Sequence, residues 1–133
     1  MHGLRLPLSR TLVRRVVETV LKEERREGFI SVTFLGRDSM RRLNAAYKGH
    51  DAPTDVLTFT LEGRPGQLVA DVYICPWVAR REARAQGVPI RQELIRLLVH
   101  GTLHAAGLDH PEGPGRTRSA MWRRQEEYVQ ALA

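Results

Sequence analysis

The feature that most constrains this chain is the stretch VHGTLHAAGLDH at positions 99–110, which holds three of its five histidines. His100 and His104 lie four residues apart in a segment whose apolar spacing predicts a helix from about Pro89 to Ala106. Four helical steps rotate a side chain by about 40° net and raise it by about 6 Å, so both imidazoles share one face. We therefore expect a helix that presents two nitrogen ligands to one metal ion.

The third histidine of this stretch requires a break in the helix. In a continuous helix, His110 would lie about 9 Å beyond His104 and on another face. Gly107 is well placed to end the helix, because glycine readily adopts the left-handed conformation found just past helix ends. The chain can then return His110 toward the first two imidazoles. Three imidazoles leave a fourth position open, as in catalytic zinc sites, so we predict one Zn²⁺ per chain bound by His100, His104 and His110.

The rest of the sequence predicts an α/β (α+β) fold in a single domain over residues 1–133. Its small mixed sheet is expected to pack against about five helices, with the metal-binding helix in the core. Apolar periodicity, β-branched runs and Gly/Pro positions predict three strands, at 29–35, 56–61 and 67–75. The same signals predict helices at 10–26, from Asp38 or Ser39 to Tyr47, from Pro76 until Gly87, at 89–106 and at 116–132. Gly28 is expected to end the first helix.

The basic character of the chain indicates a polyanionic partner. Its net charge is +6 and its isoelectric point is near 10.4, and only two of its 21 basic residues, Lys22 and Lys48, are lysines. Guanidinium groups bind phosphate with two parallel hydrogen bonds. Nucleic acid is therefore a reasonable partner, although a solvated basic surface is the simpler alternative.

The cysteine content and the apolar runs favour a cytoplasmic protein. The single cysteine, Cys75, cannot form an internal disulfide, which suits a reducing compartment. No apolar run approaches the roughly 20 residues that cross a bilayer, and the first residues lack the apolar core of a secretory signal. Cys75 itself is predicted to be a small buried residue, and Trp77 and Trp122 are predicted to belong to the core.

Three segments together resemble one known family. HGTLHAAGLDH resembles the H-G-x-L-H-x-x-G-x-D-H signature of the YbeY endoribonucleases. LNAAYKGHDAPTDVLTF, at 43–59, is similar to the L-N-x-x-Y-R-x-x-D-x-P-T-D-V-L-S-F segment of that family, and ADVYIC, at 70–75, to its G-D-I-x-I-C strand. The chain departs from these patterns at Lys48, where the family has arginine, at Ala70, where glycine is usual, and at Thr58, where serine is usual.

This resemblance implies a function and a set of partners. It implies a zinc-dependent, single-strand-specific endoribonuclease that acts in 16S rRNA 3′-end maturation and ribosome quality control. Ribosomal RNA and components of the ribosomal subunit are then the expected partners, whereas DNA and membranes are not expected. Lys48 and His100 are the catalytic candidates, since Lys48 retains the cation of the family arginine but loses its bidentate geometry.

Three further residues near these motifs are candidates for roles in the second shell or in RNA binding. Asp109 could orient an imidazole or accept a proton, or it could simply cap the turn. Asp55 is expected to fix its loop through its own backbone. His50 could contact RNA, although a solvated loop imidazole is the simpler interpretation. Lys48 is expected in the same loop.

Two other classes of function are compatible with the histidine pattern. The spacing also matches the metzincin proteases, which place a glutamate general base directly after the first histidine. This chain has Gly101 at that position, which leaves another zinc hydrolase, acting on peptides or small molecules, as a minor alternative. A non-catalytic ribosome assembly factor with structural zinc would need a fourth protein ligand, and none is evident near the motif.

Overall fold

A computed structural model of the chain describes residues 7–61, 63–109, 115–116 and 119–133. Its described elements comprise five helices and three strands, which confirms the predicted α+β architecture with a small sheet. In chain order they are α1 (Arg10–Glu23), β1 (Glu27–Phe34), α2 (Arg37–Lys48), β2 (Val56–Leu61), β3 (Gln67–Ile74), α3 (Pro76–Gln86), α4 (Ile90–Ala105) and α5 (Ala120–Leu132).

The sheet is mixed and has the strand order β1-β3-β2. β3 lies in the centre, where it pairs in parallel with β1 and antiparallel with β2. Along β3, alternate side chains from Leu68 to Ile74 are buried, as period-2 geometry requires for a strand with one face on the core. β1 and β2 are the edge strands of the sheet among the described residues.

The main core lies between one face of the sheet and the helices α1, α4 and α5. α4 is at its centre, because it contacts α1, α3, α5, β2 and β3. An apolar surface that extends around most of a helix is typical of a helix buried on several sides. The segment with the predicted metal ligands is thus held by the core, and its buried apolar residues are Leu94, Ile95, Leu97, Leu98, Val99, Leu103 and Ala105.

A smaller core covers the opposite face of the sheet. Met40 of α2, Leu57 of β2 and Cys75 are buried together there, with Phe59 and Tyr73 packed against them. Cys75 is fully buried, as the sequence predicts. This contact holds α2 against β2, at the edge of the sheet.

Two predicted boundaries are wrong at the ends of the first and last helices. α1 ends at Glu23, and Gly28 does not end it but lies within β1, opposite Leu68 of β3. A side chain on Gly28 would collide with the carbonyl oxygen of Leu68. Glycine at this position therefore allows the two strands to approach closely. α5 begins at Ala120, because the Ser119 hydroxyl accepts a hydrogen bond from the amide of Trp122.

The prediction that Trp77 belongs to the core is also wrong. Its side chain lies near the start of α3 and is 37 % exposed. The guanidinium groups of Arg37 and Arg81 lie 5.3 and 4.9 Å from the ring centroid, within cation–π range. Trp122 is half-buried, with Arg116 against its ring. The spacing of apolar residues along a helix does not show whether a tryptophan ring packs in the core or is covered by the side chains of neighbouring arginines.

In the part of the chain that the structure describes, no helix has the length and hydropathy needed to span a membrane.

Candidate metal centre

A cleft of about 460 Å³ opens at the β2 edge of the sheet, between the end of α2 and the last turns of α4. Three elements and the turn after α4 contribute polar side chains to it. These residues are Lys48, Thr58, Thr60, His100, His104 and Asp109. The structure therefore brings together four of the residues that the sequence singles out, although they are up to 61 positions apart.

The imidazoles of His100 and His104 lie side by side in this cleft. Their ring centroids are 4.7 Å apart and the ring planes are inclined by 79°. Two rings this close can each place a nitrogen about 2 Å from the same ion, so the donor set fits zinc. The predicted third ligand, His110, lies outside the described residues. Within those residues, no three His, Cys, Asp or Glu side chains form a metal-binding group.

Gly101 explains how α4 can lie so close to the sheet beside the first histidine. A Cβ atom at this position would be 2.7 Å from Cγ1 of Val72 and 3.2 Å from Oγ1 of Thr58. The helix thus contacts β2 and β3 through its backbone at this point. A glutamate, as found here in the metzincins, could not be accommodated without moving the helix away from the sheet.

The turn after α4 has the geometry that the sequence predicts for Gly107. The glycine has a φ of 102°, and its amide donates to the carbonyl of His104 at 3.0 Å. The amide of Leu108 donates to the carbonyl of Leu103, also at 3.0 Å, which completes a Schellman motif. In addition, the Arg26 guanidinium donates to the carbonyl of Ala106. The chain direction after His104 is therefore fixed by several hydrogen bonds.

His100 has a buried hydrogen-bond partner on α5. Its Nδ1 atom lies 2.7 Å from Oε1 of Gln125, a residue that is only 1 % exposed. Nε2 of Gln125 donates to Oε2 of Glu126 at 3.0 Å. Arg96 of α4 in turn donates to both carboxylate oxygens of Glu126, at 2.9 and 3.0 Å. One end of the histidine ring is thus attached to a polar chain that joins α4 and α5.

This polar chain ends at Glu93, which is 4 % exposed in the first turn of α4. Its carboxylate accepts a hydrogen bond from Arg96 at 2.9 Å. Burial raises the pKa of Glu93 above its usual value, and the contact with Arg96 opposes that rise. Arg96, located between two carboxylates, has a raised pKa, chiefly because of its hydrogen bond to Glu126.

Lys48 is the last residue of α2 and does not lie in a loop, as the sequence alone suggests. The helix ends after it because Gly49 adopts a left-handed conformation with a φ of 73°. The preceding residue, Tyr47, makes an edge contact with Phe59 at 5.1 Å between ring centroids. A lysine in the last turn suits the helix dipole, and here its side chain lines the cleft.

Asp109 also lies in the cleft, on the side of His104. One carboxylate oxygen of Asp109 is 3.6 Å from Nδ1 of His104, and 94 % of the Asp109 side chain is exposed. That distance is an electrostatic contact and exceeds a direct hydrogen bond. Asp109 therefore faces the imidazole from the solvent side.

Asp55 and His50 lie apart from the cleft lining. The Asp55 carboxylate accepts a hydrogen bond from the amide of Val56 at 2.7 Å, so it fixes the loop through its own backbone, as predicted. Its side chain lines a second cavity, of about 250 Å³, which His100 and Gln125 also line. His50 is exposed. The same loop is held to α2 by Asn44, whose Nδ2 donates to the carbonyl of Ala52 at 2.8 Å.

Sequence reasoning misses the polar chain from Gln125 to Glu93. The sequence of α5 contains a signal for this polar chain. Gln125 lies on the buried face of the helix, whose other residues, Met121, Val129 and Leu132, are apolar. A polar residue within such a stripe indicates that a buried partner exists. The sequence does not identify His100 as that partner, because 25 positions separate the two residues.

Known proteins resemble this chain over most of its length. A family model described as "Endoribonuclease YbeY" matches residues 5–133. A protein named endoribonuclease YbeY from Thermotoga petrophila is 32% identical over 90% of this chain and 78% of its own length. Another of that name, from Verminephrobacter eiseniae, is 39% identical over 96% of this chain and 79% of its own length.

A solved structure has the same fold. The solution structure of TM1509 from Thermotoga maritima superposes with a TM-score of 0.63 and is 31% identical in sequence. The match covers 90% of this chain and 78% of the other. The family match extends over nearly the whole sequence, and the solved structure shares the fold. This chain therefore belongs to the endoribonuclease YbeY family.

Proposed function

We propose that this protein is a zinc-dependent endoribonuclease that cleaves single-stranded ribosomal RNA in the maturation of the 16S rRNA 3′ end and in ribosome quality control. Membership of the endoribonuclease YbeY family carries the reaction class, the hydrolysis of RNA. The metal, the substrate strand and the ribosomal setting are the parts that we propose. The partners of the protein would be ribosomal RNA and components of the ribosomal subunit, in the cytoplasm.

One observation carries this proposal: a pair of imidazoles and a cation line the same cleft. His100 and His104 are suited to bind a metal ion, with His110 proposed as the third ligand. Lys48 is suited to approach a phosphate from the other side of the cleft. Metal ligands opposite a cation form an arrangement that can stabilise the extra negative charge of phosphodiester cleavage.

The residues of the cleft have different roles in the proposed reaction. His100, His104 and His110 would hold the zinc, which would supply Lewis acidity toward a water molecule and a phosphoryl oxygen when bound. Lys48 donates hydrogen bonds to the phosphate oxygens as their charge increases. The hydroxyls of Thr58 and Thr60 line the same cleft and can donate to the RNA backbone.

The environment of Gly101 weighs against the peptide-hydrolase alternative. The general base of the metzincins would occupy this position, and the close contact with Val72 and Thr58 leaves no room for it. An activity screen that offers peptide and RNA substrates to the same preparation separates the two. Cleavage of peptides and not of RNA would refute the proposal.

The central test is a cleavage assay on ribosomal RNA with and without a chelator. We expect wild-type protein to cleave single-stranded regions, and we expect the chelator to abolish cleavage and added Zn²⁺ to restore it. His104→Ala serves as the inactive control. Cleavage that persists in the chelator and in His104→Ala would show that the metal is not required.

The predicted ligand set is tested by elemental analysis. We expect about one zinc per chain for the wild type, because the helix spacing and the turn at Gly107 allow three imidazoles to converge. His110→Ala and His104→Ala should each lose most of this zinc, while His50→Ala, which changes an exposed histidine, should keep it. Full zinc occupancy and affinity in His110→Ala would refute the three-ligand site. A fourth protein ligand would favour a structural zinc and an assembly factor.

A further inference from the structure

We propose that Gln125 is a positioning residue that fixes the tautomer of His100, so that the proton resides on Nδ1 and Nε2 carries the lone pair. The inference rests on the proposed function for the use of that lone pair as a metal ligand. It concerns α5, a helix that contributes no residue to the histidine motif or to the described lining of the cleft.

The direction of each hydrogen bond follows from the chemistry of the partners. An ionised carboxylate can accept hydrogen bonds but cannot donate them. The group of Gln125 that lies 3.0 Å from the Glu126 carboxylate must therefore be the amide NH₂. The other end of the amide, the carbonyl Oε1, then faces His100 at 2.7 Å. A carbonyl oxygen cannot donate, so Nδ1 of His100 must carry the proton in this contact. The neutral ring then has its lone pair on Nε2.

The orientation of the Gln125 amide is itself held in place. Its acceptor, Glu126, receives two hydrogen bonds from the Arg96 guanidinium, one to each oxygen. Arg96 also donates to Glu93, one turn earlier on the same helix, α4. Gln125 is 1 % exposed, so water offers little competition for its amide, whereas 30 % of the Glu126 side chain is exposed. We define Gln125, Glu126, Arg96 and Glu93 as the relay.

The relay matters because neutral imidazole can carry its proton on either nitrogen. A metal can bind only the unprotonated nitrogen, and a ring with the proton on Nε2 would present the wrong atom or have to rotate. Partners that hold the second nitrogen of a metal-binding histidine typically increase metal affinity by about 10–100-fold. The relay supplies such a partner from an amide, with a salt bridge behind it that sets the direction of the amide.

The first measurement is the tautomer of His100 in metal-free protein, from its ring ¹⁵N chemical shifts at an alkaline pH where imidazoles are neutral. Wild-type protein should show the Nδ1–H form alone. Gln125→Met, which keeps a long side chain of similar volume but has no acceptor, should show a mixture or the Nε2–H form. Gln130→Met, the same substitution at an exposed position of α5, is the matched control and should match the wild type.

A second variant tests the relay without changing Gln125. Glu126→Ala removes the group that orients the amide, so the amide can rotate and offer its NH₂ to His100. The ring should then accept at Nδ1 and carry its proton on Nε2 in part of the population. Glu126 is less buried than Gln125, so this variant also covers the case in which Gln125→Met does not fold.

The second measurement is the zinc affinity, obtained by competition with a coloured chelator. Gln125→Met should bind Zn²⁺ about 10–100-fold more weakly than Gln130→Met. An Nδ1–H tautomer that persists in the folded Gln125→Met or in Glu126→Ala would overturn the proposal, and so would an altered tautomer with unchanged zinc affinity. Wild-type protein with the Nδ1–H form that neither binds zinc nor cleaves RNA would instead refute the proposed function.

Discussion

Gly101 shows at the scale of one residue how packing against the sheet limits the chemistry of this site. It lies beside His100, and the space for a Cβ is already occupied by side chains of Val72 and Thr58. Within an exposed helix, Gly→Ala should stabilise by about 1 kcal/mol. Here we expect Gly101→Ala to destabilise the protein by about 1–3 kcal/mol, because the added methyl group overpacks the contact between α4 and the sheet.

Chemical denaturation measures this change directly. The sign of the change in unfolding free energy separates the gain in helix propensity from the cost of overpacking. A gain in stability for Gly101→Ala would mean that the helix does not contact the sheet as closely as described. Gly101→Glu should not produce a peptidase and should unfold the protein or displace α4.

Lys48 is the residue at which this chain departs from the arginine of its family motif. Removing one preorganised charge donor typically lowers turnover by about 10²–10³-fold. We expect Lys48→Ala to lose activity on this scale while it keeps its zinc, its fold and most of its RNA affinity. Lys48→Arg should retain or gain activity, because a guanidinium can form two hydrogen bonds to phosphate.

Single-turnover cleavage rates test this prediction when they are read beside zinc content. Lys22→Ala is the matched control, because it changes the other lysine of the chain, on the exposed surface of α1. Near wild-type cleavage by Lys48→Ala would identify Lys48 as an ordinary solvated lysine at the end of a helix.

At the scale of the element, α4 carries two ligands of the proposed metal site, and the turn that follows it leads toward the third. Gly107 and Gly87 both follow helices and both have positive φ angles, of 102° and 68°. Alanine at either position should destabilise the protein by about 1 kcal/mol, because side chains disfavour this region. We expect only Gly107→Ala to weaken zinc binding as well, since only that turn leads toward His110.

Gly87→Ala is the control for this comparison, because it perturbs the end of α3, a helix that carries no histidine. Both variants are measured by thermal unfolding and by zinc titration. Equal zinc affinities for the two variants would mean that the turn at Gly107 does not direct the third ligand.

The elements that the sequence predicts correctly are those in which local pattern and tertiary packing agree. α4 could be predicted because its apolar residues and its terminal Gly107 indicate the same helix. The extent of α1 and the role of Gly28 could not, because the close approach of Leu68 is a contact between strands distant in sequence. The sequence does not predict the relay behind His100 for the same reason, since side chains on two helices complete it.

At the scale of the whole molecule, the core and the surface have separate roles. The core holds α4 against the sheet and leaves one side of its last turns open to the cleft. Most of the described arginines are exposed, so the positive charge lies where a polyanion can reach it. Affinity for RNA is then expected from the surface as a whole, and cleavage from the cleft.

This division predicts a strong dependence of RNA binding on salt. Each phosphate contact with single-stranded nucleic acid releases counterions and lowers the slope of log K against log salt by about 0.7. A net charge of +6 carried mainly by arginine should therefore give a steep negative slope, with little sequence preference. Fluorescence anisotropy of a labelled single-stranded RNA, measured from low to physiological salt, provides this slope.

The same titration tests the position of Lys48 on the RNA. If its ammonium group contacts one phosphate, Lys48→Ala should make the slope less steep by about 0.7, whereas Gln130→Met should leave it unchanged. An affinity that does not change between low and physiological salt would contradict the electrostatic basis of RNA binding. A steep slope that Lys48→Ala leaves untouched would mean that the surface arginines bind the RNA backbone and that Lys48 acts only as the charge increases during cleavage.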